Sequence, residues 1–165
     1  MEHSYQGAFG QVELRPLTEE HIEAMRILRN RCRDCFVYSG EISGEEQARW
    51  YQKYLKTEND FVFSVFREGT WIGAAALYDF QGTSVEFGRL MIDHEAAGRH
   101  GLGVEVTKCA CNIAFQQLGV DEIHLVVFRD NTPAVRTYTK AGFAVGREFA
   151  ENNKAMFLME RRKEE

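Results

Sequence analysis

No stretch of these 165 residues is apolar for the roughly 20 positions a membrane-crossing helix needs. The first residues also lack the charged-then-apolar order of a secretory signal, so the expectation is a cytoplasmic protein with no membrane role. A basic excess is missing: 20 Lys and Arg face 25 Asp and Glu, a net charge of −5, which disfavours a general nucleic-acid binder. No helix is basic enough to suit a membrane surface. Repeats, low-complexity tracts and linkers are absent, so residues 1–165 read as one domain, with 1–10 and 161–165 expected to be loose. Cysteines are few. Cys32 and Cys35 form a C-x-x-C and Cys109 and Cys111 a C-x-C, but the spacing fits no common zinc site and no metal is expected.

What is there centres on Glu86 to Gly119. An apolar run, Phe87 to Ile92, has the length and pattern of a strand. Gly98-Arg99-His100-Gly101-Leu102-Gly103 follows a polar loop, and a helical pattern then carries Val104, Cys109, Ile113 and Phe115 toward Gly119. Glycines allow a tight turn and close backbone approach. Backbone N–H groups at the positive end of a helix make a seat for phosphate. Arg99 and His100 would add side-chain charge. The loop is neither a Walker A, which ends in Gly-Lys-Ser/Thr, nor a GxGxxG after a first strand. Next come a second apolar strand, Ile123 to Phe128, and a helix opened by Asp130-Asn131-Thr132-Pro133-Ala134 and closed by Gly142-Phe143.

This order resembles the GNAT superfamily of acyl-CoA-dependent N-acetyltransferases. The signature is a strand, a G-x-G phosphate loop, a helix, a strand, and then Asp130, Asn131, Ala134, Tyr138, Gly142 and Phe143 in a D-N-x-x-A-x-x-x-Y-x-x-x-G-F spacing. One departure is Gly98, with Arg99 beside it, where the family opens its loop with Gln or Arg. The resemblance implies an α+β fold with a mixed, mostly antiparallel sheet of about seven strands and about four helices. Its two central strands, from Glu86 and from Ile123, would splay to admit the pantetheine arm of acetyl-CoA. It further implies that the backbone of Leu90, Met91 and Ile92 holds pantetheine and the thioester carbonyl. Gly101, Leu102, Gly103 and Val104, with Arg99, would bind the pyrophosphate. Asn131 would orient the pantetheine arm or a water, with an Asx turn an equally good reading. Tyr138 stands where the family keeps its proton donor to sulfur.

Val12 to Pro16 alternates as a first strand, and Thr18 is placed to cap a helix carrying Ile22, Met25, Ile27 and Leu28. Cys35 to Ile42 reads as a loop with Phe36 and Tyr38 prominent. Ser43 and Glu46 form a capping box for a helix bearing Trp50, Tyr51 and Tyr54. This helix–loop–helix is similar to the amino-sugar-nucleotide and ribosomal-protein N-terminal branches of the superfamily, where it walls the acceptor site.

Acetyl transfer to an amine needs a base for the amine, donors for the oxyanion and an acid for the thiolate. Glu86, in an otherwise apolar strand, is the candidate base, and burial there would raise its pKa. Glu41 is the reserve. The acceptor is read first as an amino-sugar nucleotide, then as a protein N-terminus, with polyamines, amino acids and antibiotics open. A CoA-binding module without catalysis is the competing class. Monomer and homodimer both remain open.

Overall fold

The computed structural model describes residues 1–32 and 40–164, so the expected loop features Cys35, Phe36 and Tyr38 lie outside the described residues. Eight strands form one sheet: β1 (Gly7–Phe9), β2 (Val12–Pro16), β3 (Phe61–Arg67), β4 (Thr70–Gln81), β5 (Ser84–Ile92), β6 (Glu122–Phe128), β7 (Ala144–Glu151) and β8 (Lys154–Arg162). Their order is β1-β2-β3-β4-β5-β6-β8-β7, antiparallel except for β5 beside β6. The helices are α1 (Ile22–Arg31), α2 (Gly44–Lys56), α3 (His94–Ala97), α4 (Leu102–Gln116) and α5 (Thr132–Lys140). The expected mixed α+β sheet is present, with β1 and α3 added.

Phe61 to Phe66 are all buried because β3 is covered on both faces. On one face Leu14, Phe63, Leu77, Phe87, Ile113 and Ile123 pack with α4 and α5. On the other, Met25, Leu28, Tyr51, Tyr54, Val62, Ala76 and Met91 pack under α1 and α2. Two hairpins close through paired left-handed residues, Glu68-Gly69 (φ 50° and 80°) and Asn152-Asn153 (φ 51° and 63°). That twist matches the flanking strands.

Both chain ends are more ordered than expected. β1 pairs with β2, and the Met1 amino group donates to the carbonyls of Tyr54 (2.7 Å) and Asp60 (3.0 Å). His3, within the stretch expected to be loose, meets the Val62 carbonyl at 3.0 Å and packs edge-on against Phe61 and Phe63. The reason is that β2 and the Phe61–Phe63 surface would otherwise be left uncovered. At the other end β8 runs through Arg162, whose register partner Glu122 keeps it paired. Ser43 and Glu46 make the capping box in both directions. Thr18 makes no side-chain cap; a short 3₁₀ turn, Glu19–His21, leads into α1 instead. Ile27, expected on the apolar face, is 46% exposed.

The feature that positions the site is the fork. β5 pairs with β6 only at Ser84, Val85 and Glu86, opposite Glu122, Ile123 and His124. Beyond it, β6 stays with β8 through Phe128 while β5 bends with β4 to Ile92. A bulge at Arg89, with φ of 55°, produces the bend. Gly73 permits it, because a side chain there would run into the Met91 carbonyl oxygen.

Candidate active site

Gly98 and Gly101 both lie in the left-handed region, with φ of 75° and 87°, so the loop turns back sharply before α4. Gly101 caps α4 without a side chain, which leaves the N–H groups of Leu102, Gly103 and Val104 for an anion. The side chain of Leu102 is fully buried and anchors the helix start. The Arg99 guanidinium pairs with Glu105, and the same carboxylate accepts the Gln11 N–H at 2.6 Å. His100 stacks on His94, ring centres 4.7 Å apart. The loop therefore offers backbone donors first and side-chain charge second.

Glu86 sits at the last rung before the fork. Its carboxylate accepts from the Tyr78 hydroxyl at 2.7 Å and meets His124 Nε2 at 3.5 Å. Here the expected raised pKa is overturned. Burial does push it upward, but the contacts from His124 and Tyr78 favour the carboxylate more, so its pKa falls below the ordinary value. Its partner His124 is raised, first by the bond to Glu86, with burial opposing. Burial and the Glu86 charge push the Tyr78 phenol far up, which keeps it a donor. Gly88 makes the Tyr78–Glu86 bond possible, since a side chain at 88 would occupy the place of the Tyr78 hydroxyl.

Tyr138, half-buried on α5, presents its ring edge-on to Phe87 and to Phe143, each centre 6.3 Å away. Phe87 is the first residue of β5 past the fork, so the tyrosine ring stands beside the gap. Asn131 caps α5, its Oδ1 accepting the Ala134 N–H at 3.3 Å. Beyond the fork, the β5 edge from Phe87 to Ile92 has no strand partner on the β6 side among the described residues. Alternate N–H groups of Leu90 to Ile92 thereby face the gap without a strand partner among the described residues.

A cavity of about 350 Å³ opens on the α1–α2 face. Met25, Arg29, Ile42, Glu46, Gln47 and Trp50 form its walls; Val62, Ala74, Arg89 and Met91 form its floor. Asn30 fastens one rim by bonding the Ile42 backbone in both directions, each at 2.8 Å. Arg89 is held by a two-pronged pair with Asp60 and lies 4.1 Å over the Tyr78 ring. Glu86 thus lies behind two side chains, Arg89 at the cavity and Tyr78 beneath it. Glu41 is not brought to it; this exposed residue lines a separate hollow with Arg26, Ile27, Asn30 and Arg31.

Residues 11–144 match the acetyltransferase (GNAT) domain family. The chain belongs to it. Acetyl-CoA is the co-substrate of this family's enzymes. Among curated proteins, spermidine N(1)-acetyltransferase of Escherichia coli K12 is 28% identical over 139 residues, covering 81% of this chain and 73% of its own. Among solved structures, spermidine N-acetyltransferase from Vibrio cholerae with CoA and spermine superposes with a TM-score of 0.82 at 22% identity. That match covers 92% of this chain and 95% of the other. AAC(6')-Ib in complex with parmomycin and acetyl-CoA gives 0.80 at 18% identity, covering 93% and 94%.

In this acetyltransferase the three described cysteines are parted between the two faces of the sheet. Cys32 packs with the α1–α2 core, whereas Cys109 and Cys111 are buried on the α4 side. Burial raises both of those thiols to about 11, so they are poor nucleophiles at neutral pH. No helix among the described residues is long and apolar enough to cross a membrane. Sequence reasoning missed Tyr78, Arg89 and His124. The one available signal was Gly88, a side-chain-free position two residues past Glu86 on the same strand face.

The two glycines of the loop should fail differently. Gly101 has open space around it, but its left-handed backbone costs a β-branched residue roughly 1–2 kcal/mol. Gly101→Val should therefore weaken acetyl-CoA binding roughly tenfold in calorimetric titration. Gly103 is different, because its added Cβ would lie 3.2 Å from Thr137 Cγ2 and push α5 away. Gly103→Val should lower stability by roughly 1–3 kcal/mol in thermal melts. Equal affinity of Gly101→Val and wild type would remove the loop as the pyrophosphate seat.

Proposed function

We propose that this enzyme moves the acetyl group of acetyl-CoA to the primary amine of a small molecule by direct attack, with Glu86 as base and Tyr138 as acid. The observation that carries this reading is the double use of β5. One face of its bulge, at Arg89 and Met91, floors the cavity, and its free edge borders the gap meant for the thioester. An amine reaching from the cavity past the bulge would meet a thioester lying along the free edge of the same strand, so β5 would orient both reactants. The oxyanion would fall to the N–H groups of Leu90 to Ile92. Because Tyr78 and Arg89 stand between Glu86 and the cavity, the amine proton would reach Glu86 through a water.

The cavity favours an acceptor with an apolar body. Six of its lining residues, Met25, Ile42, Val62, Ala74, Met91 and Trp50, are apolar or aromatic, which gives sugar hydroxyls few partners. An amino-sugar nucleotide therefore loses its first place. A polyamine is the second reading, favoured by the names of the relatives. Against it, Arg29 and Arg89 outnumber Glu46 among the charged lining residues, where a polycation would call for carboxylates. A thiol-release assay over spermidine, an arylalkylamine, a dipeptide and an amino-sugar nucleotide tests this. The arylalkylamine should give the highest kcat/KM; a clear preference for spermidine would overturn the apolar-acceptor reading. Saturable acetyl-CoA binding without turnover on any amine would favour a non-catalytic CoA module.

A further inference from the structure

Two polar residues at the fork, Ser84 and His124, have no part in the chemistry described so far. His124 lies on β6, directly across the last paired rung from Glu86. Its Nε2 faces the Glu86 carboxylate at 3.5 Å, and its Nδ1 meets Ser84 Oγ at 2.9 Å. Glu86 in turn accepts from Tyr78 at 2.7 Å. The run Ser84–His124–Glu86–Tyr78 crosses three adjacent strands at the point where they begin to part. Both His124 and Glu86 keep about a fifth of their side-chain surface exposed, 17% and 21%.

The hydrogen positions follow from the partners. An ionised carboxylate only accepts, so Nε2 must carry its hydrogen toward Glu86. In the neutral ring, Nδ1 then accepts from the Ser84 hydroxyl; in the charged ring, Nδ1 donates to it. The hydroxyl serves either state by rotating. Nε2–H therefore points at Glu86 whatever the charge on the ring, and only the strength of its pull changes. An imidazolium at this distance makes the carboxylate a weaker base, and a neutral imidazole leaves it a stronger one.

We propose that His124 is a positioning residue of the acyl transfer: backed by Ser84, it aims the Glu86 carboxylate and sets, through its own charge, how readily that carboxylate takes the amine proton. This rests on the reading of Glu86 as base. The reaction step itself is unchanged: one proton passes from the attacking nitrogen through a water to Glu86, and none needs to pass on to His124. The surroundings favour the charged ring. Asp79 of β4 lies within 4.8 Å of both partners, Glu122 lies two residues back on β6, and Glu160 of β8 is the register partner of His124. The raised pKa of His124 agrees with this arrangement, so its proton is lost above the ordinary histidine value of 6.5.

The sign follows. Turnover should rise with pH as His124 becomes neutral, and the acidic limb of kcat should coincide with the titration of His124. NMR of the imidazole in the wild-type protein with bound CoA reads that titration without relying on activity. In His124→Gln the limb should move to lower pH, so that the rate at about pH 6, relative to the plateau, rises roughly threefold or more. The plateau should fall by less than roughly tenfold, since Glu86 remains. A His124 midpoint below 6.5, or a limb unmoved in His124→Gln while Glu86→Gln loses turnover, overturns this inference and leaves Glu86 as base. Wild-type turnover in Glu86→Gln overturns both.

Discussion

Tyr138→Phe should turn over roughly 10²–10⁴-fold more slowly than wild type while binding acetyl-CoA with undiminished affinity. The scale is that of a lost general acid. The substitution keeps the ring that packs edge-on against Phe87 and Phe143, so α5 and the fork should hold their places. Only the proton destined for the departing thiolate is removed. Raising the pH should not restore the rate, because a neutral amine does nothing for the leaving group. The comparison is of kcat at saturating acetyl-CoA, with melts confirming the fold. Wild-type turnover with chemistry rate-limiting would remove Tyr138 as the acid.

Glu86→Gln should cost at least roughly 10²-fold in turnover near neutral pH, and the deficit should shrink as the pH rises toward that of the free amine. Glutamine keeps the shape and an acceptor oxygen for Tyr78, so the effect reports the lost charge. Because the pKa of Glu86 is lowered, it is ionised throughout the assay range. An acidic limb above about pH 6 would then belong to another group, which is the distinction that the His124 titration draws. A deficit constant with pH would mean that Glu86 supports the structure of the fork and does not take the proton.

The sequence carries those features whose cause is local. Ser43 and Glu46 cap a helix through a bond three residues long, and the strand–loop–helix order around Gly101 is found as read. Features set by pairing register were hidden. The sign of the Glu86 shift depends on Tyr78 and His124, which arrive from two neighbouring strands, 8 and 38 positions away in the numbering. The partner that Arg99 finds in Glu105 depends on how α4 leaves the loop, which no local pattern shows. Gly103 reads as a phosphate-loop glycine, yet its missing side chain also makes room for α5. β1 is three residues long, and only the open side of β2 makes it a strand.

The bulge at Arg89 divides the cavity proposed for the acceptor into parts with different freedom to change. Its floor is welded to β5: Arg89 holds a left-handed turn, clasps Asp60 and covers Tyr78, so replacing it would disturb that strand. The walls contributed by Met25, Glu46 and Trp50 stand on helices that play no part in that strand. Substitutions there can redraw the list of accepted amines at little cost in rate. Selection for a new substrate, in nature or in a library, should therefore accumulate changes on α1 and α2 and leave β5 untouched.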